Sequence, residues 1–390
     1  MMYRPMLACA KFICARLPTS GGKTMDFRMQ SPLGPRVVIG GRERDYFSGT
    51  GYLGLHNHPA VLEAAISAIH TYGMSTATSR GGYGEHDLYD ALEAAACAFF
   101  GVERVLYYPS GYFSAGILAQ GLRERWDRAF IDDWSHYSLW DGARATGKPL
   151  VSFHHCDPQA LAESLRRELK PGERPLVLSD GVFPISGEIA PVWAYQAVLA
   201  EYPGAWLVLD DAHATGVLGR GGRGTLEHAG ALGQPGLIAG HTLSKGIGGY
   251  GGVIAGSRLL TTEVERNSRV TVGSSPPPLP AAAASARALE LAADLALRQR
   301  LWANVRRARA GIRALGWDLE DSPVPILCLR ARPGVDLARL KDALFQRDLC
   351  VAHVQNYTST PPGGAIRIAI FATHSEEQID RLVDGLRAVL

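Results

Sequence analysis

Lysine is scarce in this chain. Of its 40 basic residues only six are lysines, at positions 11, 23, 148, 170, 245 and 341, so arginine carries nearly all the positive charge. Arginine stays protonated, whereas a buried lysine can shed its proton and act as nucleophile or base. The lysine kept among small residues and glycines in HTLSKGIGGYGG, residues 241–252, therefore asks for a chemical reason. Net charge is scarce too. At +2 it leaves no electrostatic footprint for nucleic acid or an anionic membrane surface. The six cysteines, at 9, 14, 97, 156, 328 and 350, form no CxxC pair and no His/Cys cluster at zinc spacing. That is the pattern of thiols in a reducing, cytoplasmic compartment, not of a disulfide framework or a metal site. Beyond the N-terminal stretch there is no run of about 18 apolar residues, so no membrane span is expected.

Core material is ample: 46% of the 390 residues are hydrophobic, enough for a large domain with a smaller one. Residues 1–24 carry four basic residues and no acid, with an apolar stretch interrupted by Lys11. We read them as an extension, either a targeting segment or a start placed ahead of Met25, and leave them out of the fold. Residues 25–58 form an N-terminal segment. From 59 to 285 helical periodicities such as PAVLEAAISAIHTYG and LYDALEAAACAFFG alternate with short apolar runs: RVLYYPSG, RAFIDDWSH, RPLVLSDG, AWLVLDDAH, GLIAGHTLSK and GGVIAG. Such alternation predicts an α/β domain around a mostly parallel sheet, helices on both faces, with ligands at the carboxyl ends of the strands. There the polar tails SGY, DDWSH, SDG, DDAH and TLSK would converge. After the PPPLP break, PAAAASARALELAADLALRQRLWANVRRARAGIRALG reads as a long helical stretch. The mixed elements that follow make residues 286–390 a compact α+β C-terminal domain.

Several residue sets in those tails bear chemistry, and each alone admits a plain structural reading. Lys245 lies outside any phosphate-binding P-loop pattern and by itself could be a solvated loop lysine. Asp210, Asp211 and His213 follow a buried strand, where Asp210 could pair with a pyridinium nitrogen or simply cap the next segment. The Ser-Gly-Tyr turn at 110–112 opens a helix, and helix-start amides bind phosphate. His136 ends another strand, placed to stack on a flat ring or to serve structure alone.

Taken together, and with Thr242 three residues before Lys245, these motifs resemble the α-oxoamine synthases, pyridoxal-phosphate enzymes of fold type I. The resemblance runs over roughly residues 40 to 390, through DYFSGTGYLGLHNHP, SRGGYGEHDLYDALE, WSHYSL, SDGVF, DDAHATGVLGRGGRG, TLSKGIGG and IRIAIFATHSEEQIDRL. It implies that Lys245 carries pyridoxal 5'-phosphate, that Asp210 pairs with the ring nitrogen, that His213 bonds the ring's phenolic oxygen and that His136 stacks on the ring. Gly111, Tyr112 and Thr242 would hold the phosphate. Ser274 and Ser275 would reach it from a partner subunit, which implies a homodimer with shared active sites. Arg367 would grip the substrate carboxylate. The implied reaction joins an amino acid to an acyl thioester, on coenzyme A or a carrier protein, with loss of carbon dioxide.

Three positions depart from the family pattern: Thr50 stands where asparagine is common, Pro184 where serine is common, and Tyr89 where histidine is common. All lie where substrate recognition would be decided, so Thr50 joins Arg367 as a candidate substrate contact. Two other readings share the motifs in part. An aminotransferase or aldolase would keep the lysine and aspartate, and a non-catalytic partner subunit would lack the lysine.

Overall fold

The structure, a computed structural model, describes residues 27–390, so the N-terminal extension of residues 1–24 lies outside the described residues. The strands are β1 (Arg36–Ile39), β2 (Arg42–Tyr46), β3 (Arg104–Tyr108), β4 (Arg128–Asp132), β5 (Leu150–Phe153), β6 (Pro175–Asp180) and β7 (Trp206–Asp210). They continue with β8 (Leu237–Thr242), β9 (Gly252–Gly256), β10 (Ile326–Arg330), β11 (Leu349–Cys350), β12 (Ala352–Val354) and β13 (Ala365–Ala369). The helices are α1 (Pro59–Tyr72), α2 (Asp87–Phe100), α3 (Ser114–Gly121), α4 (Tyr137–Arg144), α5 (Pro158–Glu168) and α6 (Val192–Leu199). After them come α7 (Thr225–His228), α8 (Arg258–Asn267), α9 (Leu279–Ala292), α10 (Leu295–Arg313), α11 (Leu337–Gln346) and α12 (Glu376–Arg387).

Seven strands make the central sheet in the order β3-β9-β8-β7-β6-β4-β5. Every pair from β8 to β5 is parallel, and β9 alone runs against its neighbours. The sheet is mostly parallel, as the alternation of elements predicts. Each residue of β6, β7 and β8 is buried, because crossover helices cover both faces of a parallel sheet. Alternate side chains divide between the faces. Leu176 and Leu178 join Leu118, Leu139 and Val264 from α3, α4 and α8. Val177 turns the other way, to Leu161, Leu165 and Tyr195 from α5 and α6.

The long helical stretch after PPPLP is two helices. Asp294 interrupts it, its carboxylate accepting from the Ala296 amide as the cap of α10, and short acceptors favour caps over helix interiors. The proposed domain division at 285/286 falls within the continuous helix α9, which packs on α1 and α2. Beyond it, β10, β13 and β12 form an antiparallel sheet, with Arg367 at the centre of β13. The N-terminal segment contributes β1 and β2, and β2 pairs in parallel with β11, which ties residues 36–46 to the C-terminal part of the chain.

Candidate active site

Four adjacent parallel strands end on a polar residue at the same edge of the sheet. These are Asp132 of β4, Asp180 of β6, Asp210 of β7 and Thr242 of β8, all buried. The chain beyond β8 turns at once to Lys245, whose Nζ lies 3.0 Å from Nε2 of His213. The other ring nitrogen of His213, Nδ1, is 2.7 Å from the Tyr52 hydroxyl. That hydroxyl in turn accepts a 3.1 Å bond from Nη2 of Arg367. A hydrogen-bonded chain therefore joins Arg367, Tyr52, His213 and Lys245. Arg367 is held at its remaining nitrogens by the carbonyl oxygens of Pro184, 2.7 Å from Nε, and Gly49, 3.0 Å from Nη1.

Asp210 and Asp180 are direct register partners on neighbouring strands. The Asp210 carboxylate accepts from the Ala212 amide at 2.9 Å and from the Ser138 hydroxyl at 3.3 Å. Asp180 accepts from the His136 amide at 2.7 Å, which pins His136 at the start of α4. Burial, and then the charge of Asp210, push the Asp180 carboxyl well above the usual carboxylate range. Asp211, one residue on, turns away from this group, as successive residues along an extended strand do. It accepts from the Thr225 amide, and burial raises its carboxyl to about 7.

Burial pulls the Lys245 amine below the ordinary lysine range; Asp210 and Asp180 pull the other way, and Arg367 adds to the lowering. His213 is held well below its ordinary value by burial, then by Lys245 and Arg367. An amine and an imidazole at 3.0 Å, both biased toward their neutral forms, can pass a proton between them.

The Ser110–Gly111–Tyr112 turn sits over the ends of β8 and β9. A Cβ at Gly111 would lie 2.6 Å from Cβ of Thr242, so only glycine lets this backbone approach the strand end so closely. A Cβ on Gly252 of β9 would likewise meet the Gly111 backbone, at 2.7 Å from Cα. The turn makes one 3-10 turn, Gly111–Phe113, before α3 begins at Ser114. Tyr112 bonds Asp141 through its hydroxyl and stands edge-on to His136.

His136 bonds Ser138 through Nδ1 and the Tyr357 hydroxyl through Nε2, each at 2.7 Å. Thr50 follows Gly49 in the turn that Arg367 grips, and its carbonyl accepts from the Tyr52 amide. Ser274 and Ser275 stand apart. Both are exposed, and the Ser274 hydroxyl bonds the Thr271 carbonyl without touching the Lys245 group.

Sequence reading passed over Tyr52, Asp180, Ser138 and Tyr357. Asp180, in the quoted SDG tail, carried a legible signal; Tyr357, far along the chain in an irregular stretch, carried none. It also passed over a cluster behind the site. His155 bridges Asp132 at 3.0 Å and Glu188 at 3.0 Å, and Trp134, two residues before His136, stacks on its ring at 4.2 Å. Asp132, His155 and Cys156 bring ligand-type atoms within 4.8 Å of one another, a juxtaposition the cysteine spacing did not show. The Asp132 oxygens are already committed to His155, to the Trp134 and Cys156 amides and to the Tyr195 hydroxyl, so the group reads as an ion-pair network.

The chain as a whole has close parallels. The family of class I and II aminotransferases matches residues 48–386. The chain belongs to that family. An 8-amino-7-oxononanoate synthase of Methylococcus capsulatus is 37% identical over 360 residues, covering 92% of each chain. A serine palmitoyltransferase of S. paucimobilis, solved with a bound PLP–myriocin aldimine, superposes with a TM-score of 0.86 at 25% identity, over 94% of this chain and 93% of that one. A second, from Sphingomonas wittichii, gives 0.85 at 27% identity, over 93% and 91%. Both kinds of relative are α-oxoamine synthases, so the resemblance and the fold type read from the sequence are borne out.

Proposed function

We propose that this protein condenses an amino acid with an acyl thioester, on coenzyme A or a carrier protein, with loss of carbon dioxide, to release an α-amino ketone. Pyridoxal 5'-phosphate is the cofactor of this reading, and the residues present fit it. A half-buried amine at Lys245, a buried carboxylate at Asp210 and a glycine turn at 111 offer a covalent anchor, a partner for a ring nitrogen and a close backbone approach for a phosphate. The observation that carries the proposal is the part-buried 3.0 Å contact between Lys245 Nζ and His213 Nε2 beside the buried carboxylate of Asp210.

When bound, the cofactor supplies an electron-poor ring that accepts the electron pair released at the substrate α-carbon. Asp210, through its negative charge, would keep a proton on the ring nitrogen. Lys245 Nζ would take the α-proton and return it, with His213 orienting the amine. His136, fixed by Asp180 and Tyr357, would pack against the cofactor. Arg367 binds the amino-acid carboxylate through a bidentate contact.

Two of the three departures from the family pattern bear on that arginine. Pro184 supplies a carbonyl to Arg367, and Thr50 adjoins Gly49, which supplies another. Choice among amino acids would be made there. Tyr89 is buried, with its hydroxyl on the Pro277 carbonyl, and so braces the stretch that carries Ser274 and Ser275.

Those serines belong to the dimer of this reading, each pair serving the partner's phosphate site. Leu62, Ile66, Ile69 and Tyr72 support it: they expose an apolar stripe along α1 at helical spacing. No helix of the described residues is long and apolar enough to cross a membrane, and a cytoplasmic location suits the reading.

The test is a visible absorption titration of the cofactor-loaded protein with single amino acids, followed by an acyl thioester. A band that shifts with one amino acid, with carbon dioxide and free thiol released on adding the thioester, supports the synthase. Keto-acid formation without thiol release would favour the aminotransferase, and a protein that takes up no cofactor would remove the reading altogether.

A further inference from the structure

Away from the Lys245 group, α10 carries a buried cation with no carboxylate ion pair among the described residues. Arg309 is 5% exposed. Its terminal nitrogens donate to the carbonyl oxygens of Glu320 at 2.8 Å and of Val324 and Ile326 at 3.1 Å, while its Nε has no partner. Burial, then Arg313, draw the guanidinium down to about 10, against the weaker pull of Asp321 and Glu320. A guanidinium taken out of water without a counter-charge is costly, and it is the residue type best suited to oxyanions.

Trp317 makes the same surface unusual a second time. It is also 5% exposed, and its indole Nε1, a donor and nothing else, has no partner. Arg309 and Trp317 line one cleft of about 490 Å³, within the size range of small-molecule sites. Two further arginines line it. Arg332 lies over the Trp317 ring at 4.1 Å, and Arg330 reaches Glu188 at its other side. Of the acids in the wall, Glu188 is committed to His155 and Arg330, and Asp318 and Glu320 are exposed. Water can satisfy an N–H donor but brings no charge; an oxyanion does both.

We propose that this cleft binds a small oxyanion, a phosphate or carboxylate group, received by Nε of Arg309 and Nε1 of Trp317 with Arg330 and Arg332 supplying charge. The site is separate from the cofactor and substrate residues, although its wall adjoins them. Ser186 and Gly187 follow Pro184, which holds Arg367, and Cys328 is the register partner of Arg367 on β10.

Isothermal titration of the cofactor-loaded full chain with inorganic phosphate, and separately with malonate, tests the proposal. At least one should bind with a Kd of about 1 mM or tighter, and binding should survive Arg367→Lys. Response to phosphate alone would indicate a phosphate-bearing ligand, and response to malonate alone a carboxylate. Trp317→Phe should weaken binding about 10- to 100-fold through loss of one hydrogen bond to a charged group, and Arg332→Gln should weaken it too. Arg309→Met also strips three carbonyls of their donor and can unfold the chain, so the two other variants carry the test. The proposal is overturned if neither anion binds up to about 20 mM, well past the weak end of specific affinity. An unchanged isotherm in both Trp317→Phe and Arg332→Gln would overturn it equally.

Discussion

Nε2 of His213 lies 3.0 Å from Nζ of Lys245, and Nδ1 of the same ring lies 2.7 Å from the hydroxyl of Tyr52. One imidazole thus connects the Lys245 amine to the hydroxyl that Arg367 holds from the far side. In the proposed reaction this contact would make proton transfer at Lys245 depend on His213. We expect His213→Ala to lower kcat by about 10²–10⁴-fold, the range for loss of a positioned acid–base group, while cofactor loading persists. Tyr52→Phe removes only the ring's support and should cost about tenfold. Steady-state kinetics of the two variants, with absorbance as the check on loading, decide it.

Arg367 acts on Lys245 through charge as well as through Tyr52. Its cation lowers the amine, so Arg367→Gln should shift the Lys245 pKa upward. In the cofactor-free protein the pH midpoint for acylation of Lys245, followed by peptide mass spectrometry, should move to higher pH. A downward shift would contradict the electrostatic reading. With substrate, Arg367→Lys should raise the amino-acid KM by about 10–100-fold, because lysine lacks the planar fork that matches a carboxylate.

Gly111 tests the proposed phosphate site without touching the proposed reacting groups. The Cβ of Gly111→Ala would press on Thr242 at 2.6 Å. Overpacking of this kind costs about 1–3 kcal/mol. We expect cofactor affinity to fall by about 5–100-fold, measured by fluorescence titration, with the thermal transition of the cofactor-free protein lowered by only a few degrees.

His155 gives a stability signature with a definite sign. Burial opposes its charge, but hydrogen bonds with Asp132 and Glu188 prevail and raise it to about 11, while His155 holds Glu188 down to about 2. A histidine raised in the folded state contributes stability in full below its unfolded value of 6.5 and loses it as pH rises through about 11. His155→Gln should therefore lower Tm most near pH 6, and the gap to the unaltered protein should narrow toward pH 11. A gap that widened with pH would show the imidazole to be buried neutral.

Much of this was legible in the sequence because it rests on local pattern. Short apolar runs marked β3, β4 and β6 to β9, period-3.6 hydrophobicity marked helices beside them, and the rule that ligands sit at the carboxyl ends of parallel strands placed Asp210, Thr242 and Lys245 at one edge. Other features depend on partners distant along the chain. Tyr52 meets Arg367 across 315 positions and Tyr357 meets His136 across 221, and nothing in the residues near Tyr357 signals its contact. β5, which reads LVSF with only Phe153 fully buried, is too short and too exposed for its pattern to stand out. The single helix read after PPPLP failed at Asp294, where a capping side chain outweighed the high helix propensity on either side.

The central claim is that Lys245 anchors the cofactor. Borohydride reduction of the cofactor-loaded protein, then proteolysis and peptide mass spectrometry, tests it directly. The account predicts the pyridoxyl mass on the peptide containing Lys245 and its absence from that peptide in Lys245→Ala. The same mass found on Lys148, Lys170 or Lys341 in the unaltered protein, with Lys245 unmodified, would contradict it.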